Sequence, residues 1–254
     1  MKIDCQFTPS LVDDLSLRDR TVVLIDVLRA SSTIITALSN GAREVIPTAT
    51  VESAMKIAGN LGADQALLGG ERHGKMIPGF DLGNSPLEYT EGKVRGRSIV
   101  FSTTNGSQAM VKAKYAAELA VCGFINMAAV ASFLRERRRD FVILCSGRNG
   151  GFSLEDAVCG GMLIARVSED HEAQLSDGAV ASMSLYRSFG RGIVKMMRLT
   201  DHGKYLEEIG HGSDIKYCAA LDSVPVVPLL EGNVIRLRRV TGEPAAPAIT
   251  SSRP

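Results

Sequence analysis

Residues 21–33 read TVVLIDVLRASST, and this stretch decides the fold class. Its first part, residues 21–25, is a run of apolar and β-branched residues typical of a strand buried on both faces, and Asp26 ends the predicted strand. Arg29 comes three residues later, and a helical pattern begins at residue 31. A buried strand that leads straight into a helix is the repeating unit of a parallel sheet covered by helices.

The same alternation continues along the chain. Strands are predicted at 2–7, 21–26, 44–47, 65–69, 98–102, 118–123 and 141–146, with helices at 31–40, 51–61, 85–92, 105–115 and 127–138. Residues 154–220 are predicted to be mostly helical, and 224–240 (VPVVPLLEGNVIRLRRV) to form an antiparallel pair that turns at EGN. We therefore predict an α/β fold with three layers (α/β/α), a largely parallel sheet and a C-terminal antiparallel strand pair. One domain is expected at 1–240, followed by a disordered tail at 241–254, which is rich in Pro, Ala, Ser and Thr.

Composition and charge argue against several classes of function. The 254 residues have a formal net charge of +1, which indicates neither a nucleic acid nor a membrane surface as partner. No apolar run reaches the roughly 18–20 residues of a membrane span. The five cysteines are scattered with no CxxC pair, which favours a reducing compartment. We expect a cytoplasmic protein, and a homodimer only because such dimers are common.

Polar residues follow four predicted strands at their carboxyl ends, where open parallel sheets bind ligands. Arginines there suit phosphate oxygens, and carboxylates suit a hard cation such as Mg²⁺. The sequence therefore predicts an anion site that contains a metal. The four segments are DVLRASST (26–33), the loop GGERHGKMIPGFDLGNSP (69–86), STTNGS (102–107) and SGRNGGFSLED (146–156).

Structural roles account for some of the same residues equally well. Ser85 and Glu88 fit a capping box with Pro86 at the first helical position. Ser153 and Asp156 have the same spacing, so a helix cap explains Asp156 as well as metal ligation does. The turn at 102–106 fits either an anion site at the start of a helix or a simple helix cap.

Several known phosphatase motifs are absent or incomplete. There is no GxxxxGK[ST] motif, and Leu28 removes the DxD pair that Asp26 would need. Neither Cys145 nor Cys159 is followed by an arginine six residues later. The tripeptide RHG at 72–74 matches the histidine phosphatases, but an exposed loop histidine is the favoured interpretation of His73.

Five blocks of the sequence resemble the 2-phosphosulfolactate phosphatase family, of the coenzyme M pathway type. They are DVLRASST, GGERHGKMIPGFDLGNSPLEY, FSTTNGSQA, CSGRNGGFSLED and DIKYCAALDSVPVVP, in the family's order across about residues 22–229. The resemblance implies an α/β/α, Mg²⁺-dependent, acid-type phosphatase. Its reaction would convert 2-phosphosulfolactate, a small anionic substrate, to sulfolactate and phosphate.

The resemblance and the strand ends together predict the site. The catalytic residues would be Asp26, Arg29, Glu71 and Arg72, and the metal ligands would come from Asp26, Glu71, Asp81, Glu155 and Asp156. The substrate-binding residues would be Asn84, Ser85, Ser102, Thr103, Thr104, Asn105, Gly106, Ser146, Gly147 and Arg148. Asp26 would act either as a metal ligand or as a covalent nucleophile. Two other functions remain open: a non-catalytic binder of phosphorylated or sulfonated acids, and a histidine phosphatase that uses His73.

Overall fold

A single sheet organises the chain. The computed structural model describes residues 1–62, 64–169 and 172–238, and within them eleven strands form this sheet. The strands are β1 (Lys2–Gln6), β2 (Thr21–Ile25), β3 (Glu44–Pro47), β4 (Ala66–Arg72), β5 (Lys75–Met76), β6 (Ser98–Ser102), β7 (Glu118–Cys122), β8 (Phe141–Cys145), β9 (Gln174–Leu175), β10 (Pro228–Glu231) and β11 (Val234–Leu237).

Helices connect the strands and cover the sheet. The α-helices are α1 (Ala30–Ser39), α2 (Val51–Leu61), α3 (Glu91–Val94), α4 (Gly106–Lys112), α5 (Met127–Arg137), α6 (Leu154–Val167), α7 (Asp177–Phe189), α8 (Ile193–Leu199), α9 (Asp201–Glu208) and α10 (Gly212–Cys218). Short 3-10 turns lie at Pro9–Leu11, Asp14–Leu17, Pro86–Glu88, Phe124–Asn126 and Gly190–Gly192.

The sheet is mostly parallel, as predicted. Its strand order is β5-β4-β6-β3-β11-β10-β7-β2-β8-β1-β9, and β2 pairs in parallel with both β7 and β8. The C-terminal pair β10–β11 is antiparallel, which confirms that prediction too. The pair lies in the middle of the sheet, because β11 pairs with β3 and β10 pairs with β7.

Alternate residues of β2 pack into different hydrophobic cores. Val22 and Leu24 belong to a cluster that includes Ile34 of α1. Val23 and Ile25 belong to a second cluster that includes Val158 of α6. Because side chains alternate between the two faces of a strand, both faces of the sheet are covered. The predicted three layers are therefore confirmed.

The segment at 85–92 differs from the predicted helix. It forms the 3-10 turn at Pro86–Glu88 and then the short α3. The Ser85 side chain makes no capping hydrogen bond. The Glu88 carboxylate instead accepts a hydrogen bond of 2.6 Å from the Gly83 backbone N–H, so the expected capping box does not form.

The prediction of one domain at 1–240 and a tail at 241–254 stays a prediction. The expected disordered segment at 241–254 lies outside the residues that the structure describes. Within the described part of the chain, no helix has the length and apolar character needed to cross a bilayer. All five cysteines are buried free thiols.

Candidate active site

A pocket of about 250 Å³ lies where the carboxyl ends of β2, β4, β6 and β8 meet. Parallel strands direct their following loops to the same edge, as expected for an open α/β sheet. Helix α9 closes the pocket on another side. The lining residues are Asp26, Leu28, Arg29, Glu71, His73, Gly74, Asn84, Thr103, Thr104, Asn105, Arg148, Asn149, His202 and Tyr205.

Asp26 directly follows β2 and is buried at this pocket. Its Oδ1 accepts a hydrogen bond of 3.2 Å from the Ala30 backbone N–H. Burial raises its pKa to about 6, and the negative charge of Glu71 acts in the same direction, against the opposing effect of His202. A Cβ atom at Gly106 would lie 3.0 Å from Asp26 Oδ2 and 2.9 Å from the Ala30 Cβ. Glycine at 106 therefore gives the Asp26 carboxylate room.

Arg29 is held in place by two acceptors. Its side chain is only 2% exposed, and NH1 donates to Asp214 Oδ2 at 2.7 Å. NH2 donates to the Gly74 carbonyl at 2.8 Å. The other Asp214 oxygen accepts a 2.7 Å hydrogen bond from the Ser85 hydroxyl. The Arg29 guanidinium thus lines the pocket in one orientation, while burial and its positive charge lower the pKa of nearby His211.

Glu71 joins two loops of the site. Its Oε2 accepts a hydrogen bond from the Gly74 backbone N–H, and its Oε1 accepts one from the Thr104 backbone N–H, both at 2.7 Å. The preceding Gly70 has a φ of 142°, and a Cβ there would lie 2.0 Å from the Ser102 carbonyl oxygen. Only glycine lets β4 run this close to the end of β6.

Asp156 and Glu155 begin α6 and have different partners. Asp156 accepts hydrogen bonds from the backbone N–H groups of Val27 (2.8 Å) and Gly147 (3.2 Å), so it ties together the segments after β2 and β8. Burial and the charges of Asp26 and Glu155 raise its pKa well above the usual range. Burial also acts to raise the pKa of Glu155, but the hydrogen bond and charge of His202, together with hydrogen bonds from the backbone and from Ser153, lower that pKa below its usual value.

The sequence interpretation missed several residues of the site, among them two on α9 and one buried acid. His202 and Tyr205 lie on α9, in a region that was predicted only as helical. His202 Nδ1 lies 3.4 Å from Glu155 Oε1, and the His202 side chain also lines the pocket. Asp214 lies within DIKYCAALDSVPVVP (214–228), so the family block contained it, but nothing in the block distinguished it from a surface acid.

Several predicted site residues lie outside the pocket lining. Arg72 donates to the Glu71 carbonyl and to Ser102 Oγ. Asp81 is exposed, and its Oδ2 accepts a hydrogen bond from the Leu68 backbone N–H. The Ser146 hydroxyl lies close enough to Asp26 to lower the pKa of that carboxyl, but it makes no hydrogen bond of ordinary geometry. Ser85 and Asp156 form hydrogen bonds with other residues and do not line the cavity. The predicted site residues that do line it are Asp26, Arg29, Glu71, Asn84, Thr103, Thr104, Asn105 and Arg148.

The oxygen atoms at the pocket fit a hard cation. Asp26 and Glu71 offer carboxylates there, and Asn84 Oδ1 is buried without a hydrogen-bond partner. Among the described residues, no three His, Cys, Asp or Glu side chains are placed to hold a metal ion by themselves. Mg²⁺ does not require such a group, because it is commonly held by one or two carboxylates together with water and substrate phosphate.

Comparison with known proteins identifies similar chains. A family model described as 2-phosphosulpholactate phosphatase matches residues 6–233. A probable 2-phosphosulfolactate phosphatase of Caldanaerobacter subterraneus subsp. tengcongensis is 39% identical over 229 residues, covering 90% of this chain and 95% of the relative. One of Clostridium novyi is 40% identical over 228 residues (90% and 96%). One of Symbiobacterium thermophilum is 39% identical over 223 residues (87% and 96%).

Proposed function

Because this chain belongs to the 2-phosphosulpholactate phosphatase family, we propose that it is a Mg²⁺-dependent phosphatase that acts on 2-phosphosulfolactate. The reaction class is that of a phosphoric monoester hydrolase. The observation that carries the proposal is the pocket itself, in which the carboxylate of Asp26 lies with the buried guanidinium of Arg29 and a loop of threonine and asparagine residues.

The charges of the pocket support a requirement for a cation. Asp26 and Glu71 would both face an incoming phosphate dianion, and Arg29 already has Asp214 as its counter-ion. A phosphate group placed beside two carboxylates is repelled unless a cation lies between them. Mg²⁺ held by Asp26, Glu71 and Asn84 Oδ1 would remove that repulsion, and when bound it would polarise the phosphoryl oxygens. Asp81, Glu155 and Asp156, the other expected ligands, have no part in this proposal.

The residues of the chain would hold the phosphoryl group in a fixed position. Arg29 has two of its N–H groups engaged by Asp214 and Gly74, so its remaining donors can bind phosphate oxygens. Such donors stabilise negative charge on the phosphoryl oxygens, and they need no reorganisation because Asp214 fixes the guanidinium. The Thr103–Asn105 loop would contribute hydroxyl and amide groups to the same oxygens.

The role of Asp26 separates two mechanisms. In one, its carboxylate attacks phosphorus while the bond from phosphorus to the ester oxygen breaks, so that sulfolactate leaves with a proton and an acyl phosphate forms, which water then hydrolyses. In the other, Asp26 acts only as a ligand and water attacks directly. Rapid acid quenching with radiolabelled phosphate ester distinguishes them, because only the first mechanism leaves phosphate covalently attached to Asp26.

The test of the function is phosphate release from 2-phosphosulfolactate, measured with Mg²⁺ and after exhaustive chelation. We expect release that chelation abolishes and added Mg²⁺ restores. Binding without release would favour the non-catalytic binder, and full activity after chelation would refute the cofactor. The cytoplasmic location, the homodimer, the absence of nucleic acid partners and a place in coenzyme M formation stay predictions.

A further inference from the structure

The two arginines of the pocket differ in how their charges are paired. Arg29 is buried and is balanced by Asp214 at 2.7 Å. Arg148 is only partly buried, and within the described part of the chain it forms no ion pair with any carboxylate. It also borders a second cavity of about 410 Å³, which includes the exposed side chains of Phe152 and Leu199. Glu155 and Asp201 also line this second cavity, but Glu155 is paired with His202. Arg148 is therefore a cation without a salt bridge among the described residues, at the outer part of the site.

The Arg148 guanidinium is nevertheless held by its surroundings. Its central carbon lies 5.2 Å from the centroid of the Tyr205 ring. The Tyr205 hydroxyl in turn donates a 2.8 Å hydrogen bond to the His73 carbonyl, which ties α9 to the turn between β4 and β5. A guanidinium that stacks on an aromatic face keeps its in-plane N–H groups available for a planar or tripodal oxyanion.

We infer that Arg148 selects phosphate esters that carry a second anionic group, a carboxylate or a sulfonate, on the carbon chain. Tyr205 is then the positioning residue that holds the guanidinium. This inference rests on the proposed function: the phosphate occupies the inner part of the pocket beside Asp26 and Arg29. The second acid, a few bonds away, reaches the outer cation, which makes no salt bridge among the described residues.

Three related esters test the inference. 2-Phosphosulfolactate carries a carboxylate and a sulfonate, 2-phospholactate carries only the carboxylate, and isopropyl phosphate carries neither. Arg148→Ala removes a charge-assisted pair of hydrogen bonds, so kcat/KM should fall about 10- to 100-fold on whichever of the two acidic esters the parent protein prefers. Activity on isopropyl phosphate should change less than about threefold. Comparison of the first two esters shows whether the sulfonate or the carboxylate is the group that is bound.

Matched variants separate this role from general damage. Arg191→Ala removes an exposed arginine that does not line the pocket and should leave all three rates unchanged. Tyr205→Phe keeps the ring and should retain most of the discrimination, whereas Tyr205→Leu should raise KM for the acidic esters with little change in kcat. An equal loss on all three esters after Arg148→Ala would overturn the inference, because Arg148 would then act on the phosphate. So would the absence of any loss.

A binding measurement makes the inference independent of turnover. Calorimetry with sulfolactate, and separately with inorganic phosphate, would compare the parent protein with Arg148→Ala. We expect sulfolactate affinity to fall about 10- to 100-fold and phosphate affinity to stay within threefold. If the parent protein released no phosphate from any ester, the proposed function would fail, while this measurement would still decide the role of Arg148. Unchanged sulfolactate affinity would overturn that role.

Discussion

The ion pair between Arg29 and Asp214 offers the sharpest test of how the site is held together. Asp214 has no exposed surface, and Arg29 is 2% exposed. The substitution Asp214→Ala would leave the Arg29 guanidinium buried, with the backbone carbonyl of Gly74 as its remaining hydrogen-bond acceptor. The Ser85 hydroxyl would also lose its acceptor.

Burial determines the size of the expected effect. Removing one partner of a buried ion pair leaves an uncompensated charge in a medium of low polarity, which costs about 3–5 kcal/mol. We therefore expect Asp214→Ala to lower the free energy of unfolding by about that amount. We also expect kcat/KM for phosphate release to fall, since the Arg29 donors are no longer oriented.

The assay is equilibrium unfolding in urea at neutral pH. The slope of the unfolding free energy against urea concentration should be the same for the variant and the parent, so that the two free energies can be compared. Glu208→Ala, an exposed acid on the neighbouring α9, is the control and should change the free energy of unfolding by less than about 0.5 kcal/mol. The double variant Arg29→Met with Asp214→Leu should recover most of the lost stability, because no buried charge remains. It should stay inactive, because the donors of Arg29 are gone. A cost below about 1 kcal/mol for Asp214→Ala would refute this reasoning.

Three further predictions concern Asp26, Gly106 and His73. Because burial raises the pKa of Asp26 from 3.8 to about 6, its stabilising contribution is present below pH 3.8 and is lost as the pH rises through about 6. With chelator present, Asp26→Asn should therefore be more stable to urea at pH 7 by up to about 3 kcal/mol, should match the parent near pH 4, and should release no phosphate. Gly106→Ala should lower the unfolding free energy by about 1–3 kcal/mol and reduce activity, because its Cβ meets Ala30 at 2.9 Å. The control Gly59→Ala, with nothing within 4 Å, should be neutral or slightly stabilising. His73→Asn, which suits the positive φ of 51°, should keep kcat/KM within threefold, whereas a loss of more than a hundredfold would support the histidine phosphatase alternative.

Much of the fold could be predicted from local patterns. The runs TVVLID, SIVFS and FVILCS became β2, β6 and β8 within one residue of their predicted ends. A strand buried on both faces needs a continuous apolar run, and such a run is visible without knowledge of its neighbours. The helix predicted at 85–92 was wrong because its capping signal depended on Glu88, whose carboxylate instead bonds the Gly83 backbone.

Most candidate residues of the site were predictable because the strand ends carry them, and Asn84 because it lies in one of the family's blocks. Asp26 follows β2, Glu71 lies at the end of β4, and Arg148 follows β8. The pocket brings these three residues together. His202 and Tyr205 could not be found, because their place in the pocket depends on how α9 docks against the β4–β5 turn. That contact joins residues 132 positions apart.

The sequence by itself therefore determined the class of fold, the family and the edge of the sheet where ligands bind. All three follow from local apolar periodicity and from short motifs read along the chain. Only the tertiary structure decided the partners of each charge: Asp214 for Arg29, backbone amides for Asp156 and the ring of Tyr205 for Arg148. The physical reason is that burial and pairing of a charge depend on which distant segments pack around it, and a pattern confined to neighbouring residues carries no record of that packing.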